Sequence, residues 1–334
     1  MLSAFLLTFT RKKIKGLVVP NIKKWMSNFR KRMLILQLPL SGAIETLKAF
    51  VNTDIFIVKN LNFKTNKNLI AICVIRNDLE KLKKFLEHHR NLGIKQFAFL
   101  DDNSTDGTKE YLQEQQDVEL FGSSDSYATS RKDAWVNRIM AYYGIDRWYA
   151  VLDSDELLVY DNCEKFKIDK FIALMKNENI KSVSGKMIDI YFYNEMEYFD
   201  KTGYFDYYKS VYLYSSGGMR HRIFGIQTPL RKTPLFFFDD KSISFAHYLF
   251  PFEKKSHKKN SIALLHYKFL ESDLEKYKER IKNNCMHNGS HEYKKYVEKI
   301  ENGKLNYYDE SISEKYENSK NLVKNSLMET LDFQ

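Results

Sequence analysis

Two carboxylates one residue apart, Asp153 and Asp155, end the apolar run Trp148-Tyr-Ala-Val-Leu152, and Glu156 follows directly. In open α/β sheets, ligands bind beyond the carboxyl ends of the strands. Acids placed there can turn together toward one hard cation. Mg²⁺ and Mn²⁺ favour oxygen ligands of this kind, shared with substrate phosphates. The same residues could equally form a solvated acidic turn, because such short motifs recur by chance. The chemistry therefore depends on what the rest of the chain brings to the same edge.

A second polar block, Asp101-Asp-Asn-Ser-Thr-Asp-Gly-Thr108, closes the apolar run Gln96–Leu100. Turn chemistry accounts for most of it, since Asn, Asp, Ser and Gly dominate turns for backbone reasons. Asp101 comes immediately after the run. That is where an acid of a nucleotide-binding sheet hydrogen-bonds a ribose or base. His88-His89 falls near the end of a helical pattern, where the helix dipole favours positive charge, and this is a simpler role than metal binding. Cys73, Cys163 and Cys285 are few, odd in number and widely spaced, which suggests a reducing compartment and gives neither a disulfide framework nor a zinc spacing.

The elements that must hold these groups alternate. Leu69-Ile-Ala-Ile-Cys-Val-Ile75 suits a strand buried on both faces of a parallel sheet. Asn77 or Asp78 can cap the helix that follows, with an apolar stripe at Leu79, Leu82, Phe85 and Leu86, and Gly93 stops it. Strands at Gln96–Leu100, Val118–Phe121 and Trp148–Leu152 follow, with a helix over Tyr127–Tyr143 between the last two. This order predicts a doubly wound α/β domain with a mostly parallel central sheet and flanking helices. Neither a G-x-x-x-x-G-K-[ST] nor a G-x-G-x-x-G after the first strand is present, which weakens P-loop and dinucleotide readings.

At 43% hydrophobic and 15% aromatic residues, the chain has ample core material. The charge is unevenly placed. Residues 1–68 carry 13 Lys and Arg against Glu45 and Asp54, while the other 266 residues are nearly balanced. A nucleic-acid-binding body is therefore not indicated, and a basic arm suggests an anionic membrane surface. Ile22, Trp25, Met26, Phe29, Met33 and Leu36 form a helical stripe among lysines and arginines, a pattern that can lie in a membrane surface or pack on the body. Met1–Thr10 is too short to span a bilayer.

Ile72–Asp78, Leu100–Thr108 and Val151–Glu156, in that order and spacing, resemble glycosyltransferase family 2 and its relatives of GT-A fold. The central block resembles the "vvDDgStDgT" loop of that family, and the third its Asp-x-Asp metal motif. The Asp-x-Asp-Glu variant, with a later His-Tyr, resembles a bacterial branch of surface-polysaccharide and lipooligosaccharide synthesis. The resemblance is good over residues 69–160 and looser to about 285. It implies a nucleotide-sugar donor, Mn²⁺ or Mg²⁺ on its diphosphate, and a glycan or lipid-linked acceptor. It also implies donor-binding roles for Arg76, Asp101 and Asp153, and metal ligation by Asp153 and Asp155. His266, in Leu264-Leu-His-Tyr267, would complete the metal shell, with His247 as the competing candidate. The family's inverting chemistry needs an acidic base, for which Asp189 and Glu195 are alternatives. Arg220 and Arg222, beside Gly217-Gly218, read from their residue types as a mobile segment that could close over the diphosphate or form a solvated loop. The implied layout is a basic extension (1–68), a GT-A domain (69–270, divided near 160 into nucleotide and acceptor halves) and a C-terminal helical extension (271–334) without chemistry. The protein would be cytoplasmic and peripheral at the inner face of the cell membrane, held by residues 1–38. A sugar nucleotidyltransferase is the alternative enzyme, though Arg76-Asn-Asp78 stands where its phosphate loop would be. A non-catalytic membrane-associated interaction protein is the alternative outside enzymes.

Overall fold

The computed structural model describes residues 52–125, 127–192, 203–206, 218–226, 230–240, 242–245, 247–250, 257–270, 273–283, 290–302 and 305–333. The basic arm through residue 38 and Glu195 lie outside these. Among the described residues, no helix is long and apolar enough to cross a membrane.

The first half runs β1 (Phe56–Lys59), β2 (Ile70–Ile75), α1 (Leu79–Asn91), β3 (Phe97–Asp101), α2 (Thr108–Glu114), β4 (Val118–Gly122), α3 (Thr129–Tyr143), β5 (Arg147–Val151) and β6 (Glu156–Tyr160). Next come α4 (Ile168–Asn177), β7 (Ser182–Asp189), β8 (Tyr204–Asp206), α5 (Met219–Phe224), β9 (Arg231–Phe238), β10 (Ile243–Phe245), β11 (Tyr248–Phe250) and β12 (His257–His266). The last elements are α6 (Asp273–Lys282), α7 (His291–Glu301), β13 (Ser313–Lys315) and α8 (Ser319–Lys324).

Among the described residues, nine strands form one sheet in the order β1-β4-β3-β2-β5-β9-β7-β12-β6. Strands β2, β3, β4, β5, β7 and β12 point one way, while β1, β9 and β6 oppose them. The sheet is thus mostly parallel, flanked by helices on both faces. Alternation along β2 divides the core. Ala71, Cys73 and Ile75 face α1, α2 and α4, while Ile70 and Ile72 face Trp135, Ile139 and Met140 of α3. Tyrosine and phenylalanine side chains of α5, α6 and α7 form a third cluster with Tyr191 and Phe269.

The C-terminal region is more than a helical extension, because its last residues enter the core. Leu322, Leu327, Met328, Leu331 and Phe333 belong to the main core beside Tyr160 and Phe171. Strand β13 also pairs with β8. Gly185 in β7 permits a close backbone approach, because a Cβ there would sit 2.0 Å from the Ile262 carbonyl oxygen of β12. The β7–β12 register shifts at that point and then runs on to its end at His266 and Asp189.

Candidate active site

The site lies at the carboxyl ends of the parallel strands, and the sheet register assembles it. His266, the last residue of β12, is paired with Glu156 of β6 on one side and Asp189 of β7 on the other. Three polar side chains thus form one row across three strands. The Asp-Ser-Asp-Glu turn joins β5 to the antiparallel β6. Its backbone is closed by the Glu156 N–H donating to the Asp153 carbonyl at 3.0 Å and the Tyr267 N–H donating to the Asp155 carbonyl at 2.8 Å.

Asp155, Glu156 and His266 each offer a ligand atom, all within 4.8 Å of one another. His266 Nε2 stands 3.5 Å from Asp155 Oδ2, while Nδ1 lies 2.7 Å from Asp189 Oδ1. A carboxylate behind one ring nitrogen fixes the tautomer and turns the other nitrogen outward, an arrangement common to metal-binding histidines. Two carboxylates and an imidazole are a fitting donor set for Mn²⁺, and an acceptable one for Mg²⁺. Burial opposes the Asp155 carboxylate, but His266 beside it prevails and holds its pKa below the usual range. Glu156 is fully buried, and its carboxyl is pushed up by burial despite the neighbouring Lys232. No ligand role for Glu156 was legible in the sequence, because strand β6, which begins there, left no clear signal after the acidic turn.

Asp153 is placed differently from the expected metal ligand. Its Oδ1 accepts from Lys132 of α3 and its Oδ2 from Lys232 of β9, the latter at 2.8 Å. Lys232 also donates to Glu156 Oε1. The β5–β9 register explains this meeting: it pairs Ala150 with Leu235, and continued three residues it brings Asp153 opposite Lys232. Burial works against the Asp153 carboxylate, but Lys132 and Lys232 keep its pKa well below the ordinary value. Neither lysine stood out in the sequence, because their partners are 21 and 79 residues away. His247 lies near Asp153, and Lys232 beside it pushes its imidazole toward the neutral form.

Asp189 also differs from the base expected there. Its Oδ1 accepts from Arg220 at 2.5 Å as well as meeting His266, and these cations outweigh burial to hold its carboxyl far below the usual range. A buried carboxylate locked by a guanidinium is a poor proton acceptor. Arg220 and Arg222 do not lie in a mobile loop but in helix α5. Arg220 is buried, with Asp189 and His266 at one end and Glu292 of α7 at 3.5 Å. Arg222 grips Asp206 with two nitrogens and donates to the Tyr307 carbonyl.

At the neighbouring strand ends, Asp101 is buried and its Oδ2 accepts from the Ser104 N–H at 3.2 Å. Its Oδ1, and both oxygens of the buried Asp102, lack a hydrogen-bond partner among the described residues. Arg76 Nη1 stands 3.6 Å from Asp102. Burial, opposed by Arg76, lifts the Asp102 pKa from 3.8 to about 6. Buried acceptors without donors at a strand end are the groups a ligand hydroxyl or amide would satisfy.

Helix α6 reaches this corner. Asp273, Lys276 and Glu279 pair with Lys81, Asp78 and Arg76 respectively. Asp78 also accepts from the Ser154 hydroxyl of the acidic turn. His88 and His89 hold the far side of the turn in place rather than carrying charge at a helix end. His89 Nε2 accepts from the Leu158 N–H of β6 at 3.2 Å, and His88 Nε2 lies 2.7 Å from the Leu158 carbonyl. Burial lowers the pKa of both rings.

No protein-family model matches the chain. No curated protein matches it either. Among solved structures, it is similar to a mannosyltransferase from Pyrobaculum calidifontis, determined in complex with GDP-Man and Mn²⁺, at 12% identity and a TM-score of 0.27. That similarity covers 49% of this chain, which spans about half of the other, at 46%.

Proposed function

We propose that this chain is a divalent-metal-dependent glycosyltransferase, moving a sugar from a nucleotide-sugar donor to a hydroxyl of a glycan or lipid-linked acceptor. The observation that carries this reading is the convergence of Asp155, Glu156 and His266, with Asp189 behind the imidazole, at the carboxyl ends of an α/β sheet. Mn²⁺ or Mg²⁺ bound there would neutralise charge on the departing nucleoside diphosphate.

The chain's own residues do the rest. Asp155 and His266 hold the cation, and Asp189 keeps His266 Nε2 directed at it. Asp101 and Asp102 present buried oxygens with hydrogen-bonding capacity left for the ribose or base, and Arg76 flanks them. Asp189 is committed to His266 and Arg220, so Glu195 is the base candidate that remains for an inverting reaction. The Asp153-Ser-Asp-Glu156 variant with the later His266-Tyr267 supports a place in surface-polysaccharide or lipooligosaccharide synthesis, and the basic residues 1–38 support attachment to the inner membrane face. Within this reading, residues 69–270 are the transferase domain.

A panel of nucleotide-sugars screened by thermal shift, with and without Mn²⁺, tests the assignment. One donor should raise the melting temperature only with the metal present, and Asp155→Ala should abolish that shift together with donor hydrolysis and transfer. Transfer that survives Asp155→Ala would remove the assignment. Deletion of residues 1–38 should move the protein out of the membrane fraction; continued sedimentation with membranes would refute that attachment.

A further inference from the structure

We propose that Lys132 and Lys232 are the groups that hold the donor's diphosphate, and that Asp153 is their counter-ion until a donor arrives. This rests on the transferase reading above and deepens it.

The two lysines come from different elements, α3 and β9, yet end on the two oxygens of one carboxylate. Their side chains are 16% and 9% exposed, whereas Asp153 keeps 28% of its side chain open to solvent. A single carboxylate between two ammonium groups is saturated on both oxygens. Lys232 is further committed to Glu156, but Lys132 has Asp153 as its ion-pair partner. Lys132 also sits in the first turn of α3. The helix dipole disfavours a cation at that end and favours an anion. An ammonium buried where the helix itself is positive depends on the anion beside it, which here is the Asp153 carboxylate.

A diphosphate meets that need. Each ammonium has three donors and acts as a compact point charge suited to phosphate oxygens. Exchange of Asp153 for phosphate oxygens would keep both ammonium groups paired throughout. It would also free Asp153, two residues from Asp155, to face the cation side of the site. Arg220 and Arg222, the cations first expected in this role, are bound to Asp189 and Asp206. Because negative charge on the diphosphate grows as the sugar departs, the lysines would contribute more in the transition state than in the ground state.

The test uses the full chain and its Lys132→Met and Lys232→Met variants. Calorimetry measures binding of inorganic pyrophosphate, UDP, GDP and the matching monophosphates in Mn²⁺, and electron paramagnetic resonance measures Mn²⁺ binding alone. Each variant should bind pyrophosphate and the preferred nucleoside diphosphate about 10- to 100-fold more weakly, from the loss of one charge-assisted contact. Monophosphate affinity should fall by less, and Mn²⁺ binding should persist. Unchanged diphosphate affinity, equal loss of mono- and diphosphate, or loss of Mn²⁺ binding itself would each overturn the assignment. The two readings separate cleanly. Lysine-dependent pyrophosphate binding with no binding of a nucleoside diphosphate would keep the lysine pair as an anion site and refute the transferase. Mn²⁺-dependent nucleoside diphosphate binding that ignores both lysines would do the reverse.

Discussion

At the scale of single residues, the site is a chain of dependence running from Arg220 through Asp189 to His266 and Asp155. Each member fixes the next, so the roles separate by mutation. On the proposed metal assignment, His266→Ala and Asp155→Ala each remove a direct ligand and should reduce Mn²⁺ binding below detection. Asp189→Asn leaves the ligand set intact but loosens the ring, and outer partners of this kind are worth about 10- to 100-fold in metal affinity. Titration of Mn²⁺ followed by paramagnetic resonance distinguishes these, and wild-type affinity in Asp189→Asn would refute the positioning role. His89 makes a second, independent prediction. Burial lowers its folded pKa well below the ordinary 6.5, while Nδ1 lies 2.8 Å from the Phe85 carbonyl and Nε2 accepts from Leu158. Above the unfolded pKa neither state binds the proton. As pH falls below it, the unfolded chain takes up a proton that the fold refuses, so stability is lost. The slope for this one group approaches about 1.4 kcal/mol per pH unit. Urea unfolding of wild type and His89→Gln between pH 7.5 and 5 should show the gap between them narrowing in acid. Parallel pH profiles would contradict a neutral, buried His89.

Among the elements, α6 does most to join the C-terminal part to the site. Its acids and base at three-residue spacing oppose the alternating charges of Arg76, Asp78 and Lys81, and the contact dries out along the helix. The Lys81–Asp273 pair is buried at 2.6 Å, and the Arg76–Glu279 pair is open to solvent at 2.9 Å. Burial opposes the Lys81 ammonium, yet Asp273 and Asp78 more than offset it and hold its pKa up. Removing Asp273 leaves that ammonium buried without its partner, at a cost of about 3–5 kcal/mol. Removing Glu279 should cost about 1 kcal/mol or less. Asp273→Ala and Glu279→Ala unfolding curves should therefore differ severalfold in their shift, and equal shifts would mean that the buried end is no anchor. None of this was legible in the sequence, because α6 and α1 lie some 190 residues apart and paired charges leave no periodic trace. The four strands β2 to β5 were legible, since each is a mainly apolar run followed closely by polar residues. The resemblance singled out Asp155 and His266, but the row that joins His266 to Glu156 and Asp189 arises from strand register. Register across β6, β12 and β7 depends on contacts that no local pattern encodes. The same limit hid Lys232, which meets Asp153 only because β9 runs antiparallel to β5.

For the molecule as a whole, the last residues are part of what keeps the sheet folded. Residues 319–333 carry many polar groups in sequence, with Ser319-Lys-Asn at the start of α8 and Glu329-Thr330 between Met328 and Leu331. Yet Leu322 and Leu327 are fully buried, and Met328, Leu331 and Phe333 are nearly so, against the same core as α4 and β6. The Phe333 ring lies 4.7 Å from that of Phe166, and the Leu331 N–H donates to Asp161 at 2.9 Å. Ser319 also receives the Asn162 N–H and donates to Glu164, which ties α8 to the loop after β6. That loop continues directly from the strand whose first residue is Glu156, so the chain end supports the acidic turn from behind. Burial of one large apolar side chain is worth about 1.5–3 kcal/mol, and five together approach the whole stability of a typical domain, about 5–15 kcal/mol. Ending the chain at residue 318 should therefore abolish cooperative unfolding in urea and, with it, high-affinity Mn²⁺ binding. Phe333→Ala alone should lower stability by about 3 kcal/mol while leaving Mn²⁺ affinity unchanged, because its contacts are to the core and not to the turn. If the shortened chain unfolds cooperatively with the wild-type midpoint, the chain end is a passenger, and the core must close without it.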